Sequence, residues 1–170
     1  MHPPRLYEYL TKSRAEVFDR TRTLTPEQYA QVFPIGLGSL ALTLHHVRAA
    51  EWCYVQRIIG RPGPLRDLLP EQDPEPNTPF PFGSLEQHWR EQAEQSLAQL
   101  RGVTDWDTPL DVTTGSDELP RYLASRADVA SQLVFHEVHH RAQAMNMLRH
   151  FGSPVGEIDF NALMYMTPGA

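Results

Sequence analysis

The sequence has one cysteine, Cys53, in 170 residues, so no intrachain disulfide can form. That usage fits a reducing compartment, and the expectation is a cytoplasmic protein. No run of lysine or arginine occurs; the 15 basic residues stand singly against 21 acidic ones, for a formal charge of -6. Phosphate binding needs clustered positive charge, so nucleic acid is not an expected partner. No stretch approaches the roughly 18–20 apolar residues that a membrane-spanning helix requires, so no membrane partner is expected. The first ten residues carry Arg5 and Glu8 and lack an apolar centre, the pattern expected of a chain without a signal peptide. Internal repeats and low-complexity tracts are also missing.

What is present fits one globular domain over 1–170. Hydrophobic content of 41% and charged content of 21% lie near globular averages. Helical periodicity is strong in four places. The first helix is expected from Pro4 to Thr23, with Leu6, Leu10 and Val17 at helical spacing. Thr25-Pro26-Glu27-Gln28 supplies an N-cap followed by proline at the first helical position, opening a short helix that should end near Phe33-Pro34. The second long helix is expected over Gly38–Ile59 and is stopped by Gly60 and Pro62. Gly60–Gly83 is proline-rich and aperiodic, a long connection suited to a crossover or a lid. Ser84-Leu85-Glu86-Gln87 reads as a capping box opening the third helix, which ends at Gly102. β-formers around Val112-Thr113-Thr114 and a Gly115-Ser116-Asp117 turn suggest a small hairpin. The fourth helix should start at Ser125, with Asp128 three residues on, and run to Phe151. The tail after Val155 is apolar in patches and should pack on the bundle. The fold class is therefore all-α, a four-helix bundle with a short extra helix.

Histidine is the unusual component: five of the eight fall in two clusters, His45-His46 and His136/His139/His140. Residues four apart on a helix share a face, about 5–6 Å between Cβ atoms, so His136 and His140 can bind one ion. Their stripe reads Val129, Leu133, His136, His140, Ala144, Met147, Phe151, and the rest of it is apolar or small. The pair is therefore expected to face inward, either to hold a metal or as core histidines bonded to backbone or carboxylate. His46 lies on a stripe with Leu42, Ala50 and Cys53, more apolar than that of His45 with Ala41, Arg48 and Trp52, which makes His46 the better third ligand. Three imidazoles with an open position describe a catalytic metal site. They suit Zn2+, Ni2+, Co2+ or Fe2+, with Zn2+ or Ni2+ the expected divalent ion.

The same segment matches H-E-x-x-H, the zinc-peptidase motif, with Glu137 as general base. Its usual continuations supply a glycine and a histidine where this chain has Gln143 and Asn146, or a downstream helical glutamate, whereas Glu157 lies in a Gly/Pro-flanked tail. The peptidase is the lesser alternative.

Gly38-Ser39-Leu40, then His46-Val47-Arg48-Ala49-Ala50-Glu51-Trp52, and later His136-Glu137-Val138-His139-His140-Arg141-Ala142-Gln143, with Leu148-Arg149 and Phe151-Gly152, resemble the motifs of the DinB-like (damage-inducible) family. The resemblance runs from about Leu6 to Gly152. It departs at Ala142, where glycine is common. It implies an up-down-down-up bundle with a long crossover, often a homodimer, and a metal on His46, His136 and His140. Some relatives transfer low-molecular-weight thiols to electrophiles, and many have no assigned reaction. The functions carried forward are a metalloenzyme performing thiol transfer or metal-assisted hydrolysis on a small molecule, or a non-catalytic metal-binding or stress-response protein. Candidate catalytic or supporting residues are Glu51, Arg141 and Gln143, each of which is equally able to form an interhelical contact. His139 and Glu51 are candidate fourth ligands. Cys53, the three tryptophans and most methionines read as packing.

Overall fold

The computed structural model describes residues 2–61, 78–112 and 122–165. Helix α1 spans Pro3–Thr21, α2 Pro26–Ala30, α3 Leu40–Ile58 and α4 Phe82–Arg101. Strands β1 (Pro109–Val112) and β2 (Tyr122–Ser125) follow, then α5 (Arg126–His150) and α6 (Phe160–Met164). The chain is mostly helical, and among the described residues there is one two-stranded antiparallel sheet, in which Pro109 faces Ser125 and Val112 faces Tyr122. Among the described residues no helix is long and apolar enough to cross a membrane.

The local signals explain most boundaries. Thr25 forms a capping box with Gln28, whose backbone N–H donates to the Thr25 hydroxyl (3.3 Å) while Gln28 Oε1 accepts from the Thr25 N–H (2.9 Å). Ser125 and Asp128 do the same for α5, at 3.1 and 2.8 Å. Ser39 caps α3 through the Leu42 N–H, and Gly60, at φ +85°, ends it in a conformation that glycine adopts without strain.

Three expectations need correction. The short helix closes at Ala30 rather than near Phe33. The capping box at Ser84 does not form: α4 begins at Phe82 after Pro81, with no side-chain cap. Phe82 is drawn onto the bundle by edge contacts with Phe18 (5.4 Å) and Tyr29 (5.6 Å), and this packing starts the helix before Ser84. The hairpin begins earlier than expected, at Pro109, and its turn at Gly115-Ser116-Asp117 lies outside the described residues, as do Met166 and most of the Gly60–Gly83 connection. The tail packs as expected, with Met164 and Leu163 carbonyls accepting from Arg5 (2.8 Å) and Lys12 (3.0 Å) of α1.

Each long helix packs against two others: α1 and α3 both contact α4 and α5. Two apolar clusters fill the interior. One joins Val17 and Phe18 to Leu40, Leu44, Trp89, Met147 and Leu148. The other joins Tyr7 and Leu10 to Val55, Ile58, Leu100, Val129 and Leu133. Thus α1 and α5 enter the first cluster with their C-terminal halves, while α3 and α4 enter it with their N-terminal halves. On this pattern α3 and α4 point the same way.

Between the clusters lies a buried polar layer. Arg14 of α1 pairs with Glu51 of α3 and with Glu137 of α5, the latter at 2.7 and 3.3 Å. Glu51 also accepts from Tyr7 (2.8 Å), Trp89 Nε1 (2.9 Å) and Gln92 (2.9 Å). Burial alone would lower the Arg14 pKa, but the two carboxylates outweigh it and hold the guanidinium charged. Arg141 of α5 donates to Ser13 and to Tyr9 Oη (2.8 Å). One cation thus ties two carboxylates from two other helices.

Removing that cation leaves both carboxylates dry and facing one another. Arg14→Met should cost about 3–5 kcal/mol in urea unfolding, the range for breaking a buried pair. A loss below about 1 kcal/mol would show that the layer carries no such charge.

Candidate metal centre

The rotation of α5 about its axis is set by Glu137 and Arg141, which are 4% and 7% exposed and face the polar layer. His136 precedes Glu137 by one residue, about 100° round the helix. It is therefore turned away from the centre and into the seam with α3, and His140, one turn on, follows it. His46 approaches from α3. Its Nε2 lies 3.0 Å from His136 Nε2, and the ring centroids of the three residues are 4.5–4.9 Å apart. One ligand atom from each falls within 4.8 Å of the others, and all three side chains are half-buried.

These residues fit a divalent ion. Three nitrogens bound tetrahedrally at 2.0–2.1 Å stand about 3.4 Å apart, so the set needs side-chain shifts of only about 1 Å to close. The donor set is three neutral imidazoles, and the site keeps them neutral. Burial, then the neighbouring His140, His46 and His139, push His136 down to about 4. Burial, then His140 and His45, lower His46; burial likewise lowers His140, against the opposing bond from Gln143. The Gln143 Oε1 accepts from His140 Nδ1 at 2.9 Å. An amide oxygen only accepts, so a bond in this orientation needs the proton on Nδ1, which would leave the Nε2 lone pair free for an ion.

The three expected ligands are thus brought together, although two arguments for them need revision. His136 and His140 sit at the edge of the bundle rather than inward; the inward stripe of α5 is Leu133, Glu137, Arg141, Ala144 and Leu148. On α3 it is His45, at 6% exposed, that is the more buried histidine, packed on Phe80 with ring centroids 5.7 Å apart. Because α3 packs against both α4 and α5, its buried arc is wide, and apolar neighbours do not distinguish the two. Of the supporting candidates, only Gln143 reaches the cluster. Glu51 and Arg141 are committed to the buried layer. His139 is exposed and meets Gln143 Nε2 through its own Nε2 at 3.0 Å. Cys53 is fully buried, and burial raises its thiol to about 11.

Sequence reasoning missed Arg14 and Gly36. Arg14 has no motif, and its partner Glu137 is 123 positions away. Gly36, at φ +51°, lies where a Cβ would come within 2.5 Å of Gln143 Cδ. The only sequence signal was a glycine pair, Gly36 and Gly38, between two helices.

A histidine whose folded pKa is depressed takes up protons on unfolding, so the neutral form's contribution is complete above the unfolded value and is lost as pH falls. For His136 that window runs from about 6.5 to about 4. The metal-free protein should therefore lose stability across that range in urea midpoints, and His136→Phe should flatten the slope; an unchanged slope in the variant would contradict a buried neutral His136.

The sequence model of the DinB family matches residues 2–170. The chain is 23% identical over 163 residues to Protein DinB of Bacillus subtilis, covering 96% of this chain and 94% of that protein. Its fold is similar to the crystal structure of a DinB-like protein from Bacillus subtilis, at a TM-score of 0.64 and 15% identity over 91% of this chain and 97% of the other. It is also similar to a DinB family member from Shewanella denitrificans, at 0.60 and 14% over 97% and 90% of the two chains. A family match over residues 2–170, 23% sequence identity to a curated relative and a shared fold agree: the chain belongs to the DinB family.

Proposed function

We propose that this protein is a divalent-metal-dependent enzyme that binds zinc or nickel on His46, His136 and His140 and acts on a small molecule, by thiol transfer or metal-assisted hydrolysis. The observation that carries this is the convergence of three neutral imidazoles at a half-buried seam, with no fourth carboxylate, thiol or imidazole in the group among the described residues. A catalytic site keeps a position open in this way, whereas structural zinc sites are closed by four protein ligands. When bound, the ion would act as a Lewis acid that lowers the pKa of a water or thiol in the remaining position. The histidines stay unprotonated near neutral pH, and Gln143 bonds His140.

Two alternatives receive less support. In a peptidase Glu137 would be the general base, but both its oxygens are bound to Arg14 in the buried layer. In a purely structural role the ion would hold α3 to α5, yet these helices already share both apolar clusters and the Arg14 layer. The buried Cys53 cannot serve as the thiol, so thiol transfer requires one from outside.

Protein purified without an affinity tag should carry close to one equivalent of a divalent transition metal, and His140→Ala should abolish it. Less than about a tenth of an equivalent, with none taken up from added zinc or nickel, would refute the metal reading. Cobalt-loaded protein should develop a thiolate charge-transfer band with a low-molecular-weight thiol if the reaction is thiol transfer. No spectral change across several thiols would leave hydrolysis or the non-catalytic, stress-response role.

A further inference from the structure

Gln143 bridges two histidines with opposite demands. Its Oε1 lies 2.9 Å from His140 Nδ1 and its Nε2 lies 3.0 Å from His139 Nε2. The amide oxygen can only accept and the amide nitrogen can only donate. This orientation therefore selects the Nδ1–H form of His140 and leaves its Nε2 unprotonated, on a ring whose centroid is 4.8 Å from that of His46 and 4.5 Å from that of His136. The reversed amide would select the other tautomer, put a proton on Nε2 and remove one ligand from the set.

The orientation has a seat. The Phe33–Ser39 loop is clamped to the end of α5 by Phe33, whose ring meets Phe151 and His150 at 5.4 Å, and it is closed by Gly38 N–H to the Ile35 carbonyl at 2.9 Å. It presents the bare backbone of Gly36 to the Gln143 amide. A Cβ there would stand 2.5 Å from Cδ, and closer still to Oε1, so any side chain displaces the amide. The loop leads directly into Ser39, the cap of the helix that carries His46.

We propose that Gln143, seated on the backbone of Gly36, is a positioning residue that fixes the tautomer and ring orientation of His140 for metal binding. This rests on the three-histidine reading above. Gln143→Leu should weaken zinc binding about 10–100-fold in a competition assay, the usual effect of losing an outer partner of a ligand histidine. Gln143→Glu, whose carboxylate still accepts from Nδ1–H, should stay within about threefold of the parent. Gly36→Ala should weaken zinc about as much as Gln143→Leu although residue 36 touches no ligand, and the double variant should be no weaker than either.

Long-range nitrogen NMR of the metal-free protein supplies a second readout: His140 should be in the Nδ1–H form, and that form should be lost in Gln143→Leu. An Nε2–H His140 in the parent, or unchanged zinc affinity in Gln143→Leu, would overturn the proposal. Should the parent bind no zinc, the metal reading fails, and the tautomer measurement still decides whether Gln143 positions His140. A further loss when Gly36→Ala is added to Gln143→Leu would overturn the role given to Gly36.

Discussion

The bundle is organised around one buried cation. Arg14 pairs with a carboxylate from α3 and another from α5, in a layer that separates two apolar clusters. Apolar packing tolerates small rotations of a helix, since one aliphatic side chain fills space much as another does. A buried charge does not, because an unpaired carboxylate in this layer costs several kcal/mol. The layer therefore fixes how α3 and α5 are turned, and every polar group near the histidines takes its place from that.

The position of the histidines follows. With Glu137 held at the centre, its neighbour His136 can only stand at the seam between α5 and α3, and His140 follows one turn later. His46 meets them from the opposite wall. The result is a half-buried cluster in which burial lowers the pKa of each imidazole. The charged network and the imidazole cluster are adjacent on one helix but separate in chemistry: the first holds the frame, and in the second an ion would break the His46–His136 contact.

The sequence made some of this legible. Helix existence followed from periodicity, and two of the starts from the Thr25 and Ser125 caps, because those signals are local. The His136–His140 pairing followed from helix geometry alone. The depth of that pair did not, because the rule that apolar residues lie inside fails where polar residues bury each other. Glu137 and Arg141 take the inner face instead, because Arg14, Ser13 and Tyr9 on a distant helix partner them there. The start of α4 was displaced by an aromatic contact with Phe18 and Tyr29, and the seat at Gly36 depends on where α5 passes the loop. Both are tertiary facts. Burial does not separate His46 from His45; direction does, since His46 meets His136 and His140 of α5 while His45 packs on Phe80.

The central claim is that one divalent ion sits on these three nitrogens with room for a further ligand. A crystal of the zinc-loaded protein measured at the zinc absorption edge tests it directly. The account predicts a single anomalous peak about 2.0–2.1 Å from a ring nitrogen of each of His46, His136 and His140, with no fourth protein ligand. A peak elsewhere, or one closed by a fourth side chain such as His139, would contradict it.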